Sequence, residues 1–192
     1  MNKISKNYFE KRYKSGIGSG DGSIGKVRDF KHEILRKYLG YYNLHSFLDV
    51  GCGDLSFWHE KPPKHYIGVD FSKTIQTRNK LKFDRKFITV DIAKSVLPRA
   101  DVIICFDVLF HILNDKDYSQ IIFNMCRAAK KFVFIYTWLN EPKNYVRKHQ
   151  KYRKLSDYFS LFIAYEFNYV GVYMKPEIDS IGALFVFKKS TI

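Results

Sequence analysis

Phe47-Leu48-Asp49-Val50-Gly51-Cys52-Gly53-Asp54-Leu55 is an apolar run that ends in an acid, a Gly-x-Gly turn and a polar residue where a helix can start. A buried parallel strand reads this way where it breaks sharply and lets a ligand approach its carboxyl end. Gly51 and Gly53 lack a Cβ, so the turn can be tight and the backbone can come close to a cofactor. Gly-x-Gly alone is a weak signal, because ordinary turn chemistry also produces it. Two further apolar runs, Tyr66-Ile67-Gly68-Val69-Asp70 and Ile88-Thr89-Val90-Asp91, also end in acids and make it a pattern.

Upstream, residues 1–14 form a short basic amphipathic segment with Ile4, Tyr8, Phe9 and Tyr13 as its apolar members. Residues 15–25 are too glycine-rich for a regular element; they read as a mobile lid over a ligand, or as a plain linker. Val27, Phe30, Ile34, Leu35, Tyr38 and Leu39 fall at helical spacing over 26–39, and Gly40 stops that helix. Strands are expected at 46–50, 66–69, 86–90, 101–106 and 131–136. Ser72 caps a helix through about Leu81, and Asn114 or Asp115 caps one that buries Tyr118, Ile121, Ile122 and Met125. Two last runs, 161–169 and 182–187, read as a closing antiparallel pair. Strands alternating with helices give an α/β architecture with a mostly parallel sheet, and ligands bind outside the carboxyl ends of such strands. Asp49, Asp70, Asp91, Asp107 and Tyr136 all fall at those ends.

The chain has 192 residues, enough for one domain with a single core. The organisation expected is an N-terminal basic segment and Gly-rich lid over 1–25, then one domain over 26–192. No apolar run approaches membrane-spanning length, and no signal-peptide core follows the N-terminus. Cys52, Cys105 and Cys126 lack metal-ligand spacing and read as reduced, buried thiols of a cytoplasmic protein. The six histidines lack i, i+4 pairs or cysteine partners, so no metal site is expected. The net charge of +14 points to an anionic partner or to a merely lysine-rich composition.

A nicotinamide fingerprint needs a third glycine at position 56, and Ser56 stands there. Asp70 lies where an acid would hold a ribose diol, which NAD and S-adenosylmethionine both carry. The order Asp-Val-Gly-Cys-Gly, Gly-Val-Asp, Val-Asp-Ile and Cys-Phe-Asp-Val-Leu-Phe-His-Ile, over residues 26–139, resembles class I S-adenosylmethionine-dependent methyltransferases. The entry Tyr8-Phe9-Glu10-Lys11-Arg12-Tyr13 is similar to small members associated with glycan biosynthesis. The resemblance implies a Rossmann-like, mostly parallel seven-stranded sheet with helices on both faces and a C-terminal antiparallel strand pair. It also implies S-adenosyl-L-methionine as cofactor. Asp49, Gly51, Cys52 and Gly53 would border its methionine part. Asp70 would hold the ribose, and Phe71 would lie against the adenine. Asp91 would accept from the adenine amino group beside the Ile92 amide. The main chain at Phe106 and Asp107 would meet the ammonium. Leu55 departs from the family's common third glycine.

Methyl transfer needs an aligned acceptor, excluded water and, for a hydroxyl, removal of a proton. His111 and Asp107 are the candidate catalytic groups where the fourth strand opens; packing is the competing role for His111. Tyr13, Tyr136 and Trp138 are candidate walls of the acceptor pocket, with core packing the alternative for the last two. Lys143–Lys154 carries six Lys/Arg and no acid, and from it Arg147 and Arg153 are candidate clamps for an anionic acceptor, with Tyr145 and Tyr152 able to stack. A solvated helix face is the competing reading. No Asn-Pro-Pro-Tyr or Asp-Pro-Pro-Tyr follows the fourth strand, which argues against base-amino and glutamine-amide methylation. The expected function is O-methylation of a small polar or anionic acceptor such as a sugar or glycan precursor. RNA modification and non-catalytic cofactor binding are the alternatives.

Overall fold

The computed structural model describes residues 3–143 and 147–190. Seven strands form one sheet: β1 (Phe47–Val50), β2 (Tyr66–Asp70), β3 (Lys86–Thr89), β4 (Ala100–Phe106), β5 (Ala129–Trp138), β6 (Phe167–Tyr173) and β7 (Gly182–Lys189). Their spatial order is β3-β2-β1-β4-β5-β7-β6. The first five run parallel, and β7 inserts antiparallel between β5 and β6. The helices are α1 (Lys3–Lys14), α2 (Gly25–Leu39), α3 (Lys73–Lys82), α4 (Asp115–Ala128) and α5 (Phe159–Ile163).

Alternation along the buried strands divides the core in two. Leu48, Val50, Ile103, Cys105, Val133 and Ile135 pack with Tyr118, Ile121, Ile122 and Met125 of α4 on one face. Phe47, Val102, Ile104, Phe132 and Phe134 pack with Phe30, Ile34, Leu35 and Leu39 of α2 on the other. The expected caps are present: the Ile75 amide donates to Ser72 Oγ at 3.3 Å and the Asp117 amide to Asn114 Oδ1 at 3.0 Å. The chain reverses its strand order between β1 and β4, which opens a crevice at their carboxyl ends.

Three boundaries differ from expectation. The run expected to be a strand from 161 begins as helix α5, and β6 starts only at Phe167. Phe159 and Phe162, three apart, both pack on Phe187, with Phe162 stacked on it at 3.7 Å, so the spacing there is helical. Glu166, at φ +62°, turns the chain into the strand. Within the Gly-rich strap, Asp21–Ser23 forms one 3-10 turn. The basic stretch, where described, is a turn and loop rather than a helix face; Tyr145 lies outside the described residues.

Candidate active site

Gly51 stands at φ +79°, and a Cβ there would collide with Val108 Cγ2. The glycine therefore lets the β1 turn fit beneath the loop that follows β4. Leu55, in place of a third glycine, adopts the glycine-like conformation itself, at φ 65° and ψ 15°, with its side chain fully buried.

A cavity of about 540 Å³ opens at the carboxyl ends of β1, β2 and β4. The expected cofactor positions Gly51, Asp70, Phe71, Asp91, Ile92 and Phe106 line it. Asp107, His111, Tyr13 and Arg147 line it as well. Asp49, Cys52 and Gly53 do not. Asp49 alternates with Leu48 and Val50 and so points into the α2-side core, where Trp58 Nε1 and Tyr66 OH donate to its Oδ2 at 2.9 and 2.8 Å. Burial pushes its carboxyl up to about 6. Cys52 is buried, 3.6 Å from Gln76 Nε2, and burial holds its thiol well above the usual range. Gly53 acts through Asp70, to which its amide donates at 3.2 Å. The other Asp70 oxygen takes the Ser72 amide at 2.8 Å, so one carboxylate joins the Gly-x-Gly turn to the start of α3. Burial pushes Asp70 up to about 6 as well.

Three of the expected acceptor residues lie outside the lining, for separate reasons. Tyr136 donates to Asp179 Oδ2 at 2.7 Å and turns its ring face to Lys31. Trp138 stacks on Phe110 at 4.5 Å and 4°, and Phe110 is the ring that faces the cavity. Arg153 is drawn away to the start of α4, donating to Asp115 and to the carbonyls of Ile112 and Leu113 at 2.7, 2.6 and 2.9 Å.

The roof comes from α1 and the strap. Ser5 Oγ donates to the His111 carbonyl at 2.8 Å, Lys6 pairs with Asp91 at 2.9 Å, and Thr74 donates to Glu10 at 2.7 Å. The Ser19 amide donates to Asp54 Oδ2 at 2.9 Å. Lys31, from α2, is fully buried: it ion-pairs with Asp107, donates to the Gly22 carbonyl at 2.8 Å and sits 3.9 Å over the Tyr136 ring. One ammonium thus ties the strap to the loop after β4. Lys31 falls in the apolar stripe between Val27 and Leu35, and a charge at a core position is the signal that could have marked it.

His111 Nδ1 lies 3.2 Å from the His149 carbonyl, so Nδ1 carries the proton and Nε2 the lone pair. Burial pushes its imidazole down to about 3, against the hydrogen bond to the His149 carbonyl, which raises it, and with smaller lowering by the nearby charges of Arg12 and Arg147. His149 stacks between His111 at 5.2 Å and Tyr8 at 3.8 Å, and Phe9 meets His111 edge-on at 4.8 Å. Tyr8, Phe9, Arg12 and His149 all line the cavity as well; the first three belong to the entry motif read from sequence, but none of the four is among its candidate site residues.

Residues 48–136 match the family model described as a methyltransferase domain. That stretch runs from β1 to β5 and so contains the strand ends that border the cavity. Among solved structures, the chain is similar to magnesium protoporphyrin IX methyltransferase from Synechocystis PCC 6803 with bound S-adenosylhomocysteine, at TM-score 0.72 and 17% identity over 97% of this chain and 99% of that one. It is also similar to the Burkholderia thailandensis 1,6-didemethyltoxoflavin N1-methyltransferase, at TM-score 0.71 and 15% identity over 98% and 88%. A third likeness is to the N-methyltransferase NodS from Bradyrhizobium japonicum WM9, at TM-score 0.68 and 16% identity over 97% and 99%. No curated protein matches the chain.

Proposed function

We propose that the protein transfers a methyl group from S-adenosylmethionine to a hydroxyl of a small polar or anionic acceptor, of the sugar or glycan-precursor kind. The observation that carries this reading is the enclosure. A cavity of about 540 Å³ roofed by α1 and the strap is of the size that holds a cofactor and a small molecule, about 300–1,000 Å³. Asp70, Phe71, Asp91 and Ile92 would hold the adenosine, with Asp70, which already accepts from the amides of Gly53 and Ser72, the acceptor for the ribose diol. Gly51 and the main chain at Phe106 and Asp107 would border the methionine end.

Residues 1–25 act as the lid that excludes water from the reacting centre. A neutral His111 supports a positioning role: Nε2 accepts a hydrogen bond from the acceptor hydroxyl and aligns its oxygen with the sulfonium methyl. At a pKa of about 3 the imidazole is a poor store for the proton, which leaves to Asp107 Oδ1 or to water as the C–O bond forms and the C–S bond breaks.

The test is transfer of labelled methyl from S-adenosylmethionine to a panel of sugars, sugar phosphates and RNA. Turnover confined to small hydroxylated acceptors is the expected result. Turnover on RNA alone, or on amines alone, contradicts the reading.

A further inference from the structure

Two guanidinium groups, those of Arg12 and Arg147, line the cavity without acidic partners among the described residues. Arg12 donates through Nε to the Gly18 carbonyl at 2.7 Å and through Nη1 to Tyr8 OH at 3.2 Å, which fixes its plane and leaves further N–H donors unspent. Arg147 is exposed and is presented by a turn in which its own amide donates to Gln150 Oε1 at 3.3 Å and the Gln150 amide returns to its carbonyl at 2.8 Å. The cavity's other carboxylates are engaged elsewhere: Asp91 with Lys6, Asp107 with Lys31, Asp70 with backbone amides. Asp21, also in the lining, pairs with neither arginine.

The field of the two arginines reaches the neighbouring rings. Burial is the main cause that holds His111 and His149 down, and Arg12 and Arg147 add to it at both. The imidazoles are therefore neutral, and the positive charge at this end belongs to the arginines, uncompensated by the protein. A guanidinium pair of this kind matches the geometry of an oxyanion.

We propose that Arg12 and Arg147 form an oxyanion subsite that receives a phosphate or carboxylate carried by the methyl acceptor. It deepens the small-acceptor reading and rests on it. The Tyr8–His149–His111 stack is the flat wall along which the uncharged body of the acceptor lies, between the subsite and the reacting hydroxyl.

The test is NMR titration of inorganic phosphate, and separately acetate, into the full chain, followed on the imidazole signals of His111 and His149. Each titration is run with and without S-adenosylhomocysteine. The expected result is saturable binding of one anion, weakened about tenfold in Arg147→Gln and less in Arg147→Lys, which keeps the charge but not the fork. Binding of phosphate over acetate identifies a phosphorylated acceptor, and the reverse a carboxylated one. Arg147 has no side-chain partner among the described residues, so its loss does not threaten folding; Arg12→Gln is the second variant. No saturable binding of either anion, or wild-type binding by both variants, overturns the subsite. Failure of the donor reading is seen separately, as absence of S-adenosylhomocysteine binding by the unaltered protein.

Discussion

Leu55 stands where the methyltransferases that the sequence resembles commonly carry a third glycine, and it takes the left-handed conformation nonetheless. That conformation costs about 1–2 kcal/mol in a residue with a Cβ. Full burial of the leucine side chain offsets it by about 1.5–3 kcal/mol, so packing wins over backbone preference. Leu55→Gly is expected to lower stability in urea unfolding by about 1–2 kcal/mol, although it relieves the backbone; a more stable variant contradicts this. The sequence exposes the missing glycine but not its remedy, because the remedy is a tertiary contact. His111 shows the same limit, since its position is legible and its neutrality is not. With the imidazole held at about 3, the kcat profile should carry no His111 limb between pH 5 and 8. His111→Ala should slow turnover by about tenfold or more, through loss of the hydrogen bond, with S-adenosylhomocysteine affinity unchanged. An inflection near 6.5 that the variant abolishes would reject the neutral-acceptor role.

At the level of elements, the helices and parallel strands follow from periodicity, and their positions agree with it to within a few residues. The error at α5 is instructive: a run rich in Phe, Leu and Ile fits either period over five residues, and only the Phe162–Phe187 stack decides. The roof was less legible. α1 contributes Ser5 to the His111 carbonyl 106 residues away and Lys6 to Asp91 85 residues away, and no local pattern encodes such reach. Arg153 illustrates the converse, a basic residue in a charged run that the start of α4 captures. Lys31 is the element-scale latch. Lys31→Met keeps the volume but frees the Gly22 carbonyl and leaves Asp107 without its cation. Hydrogen exchange over 15–25 is expected to quicken by about tenfold or more while α4 stays protected. Unchanged protection of the strap would show that Lys31 does not hold it.

The whole molecule balances opposing titrations. Asp49 and Asp70 have native pKa values raised by burial to about 6, so the native state holds their protons more tightly than the unfolded chain. Their contribution favours folding at low pH and is lost as pH rises from about 4 to 6. His32 and His111, held by burial at about 4 and about 3, contribute the opposite slope: stability present above their unfolded value near 6.5 and lost as pH falls. Asp49→Asn removes one carboxylate from this balance and keeps an acceptor for Trp58 and Tyr66. It should add about 2–3 kcal/mol above pH 6 and make stability climb more steeply between pH 4 and 6. Chemical denaturation across that range checks it; an unchanged slope contradicts the buried, raised carboxyl.

The fold class was readable because acids ending apolar runs mark the carboxyl edge of a parallel sheet, whereas the order of the strands across the sheet was not. The acceptor end was not, because it is assembled from α1, the strap and the turn at 147–150, which meet only in three dimensions. A crystal structure of the protein saturated with S-adenosylhomocysteine tests the central claim most directly. The ribose hydroxyls should lie within hydrogen-bond distance of Asp70, with the adenine between Phe71 and Ile92 beneath α1. Adenosine density elsewhere, or an empty cavity at saturating ligand, would contradict it.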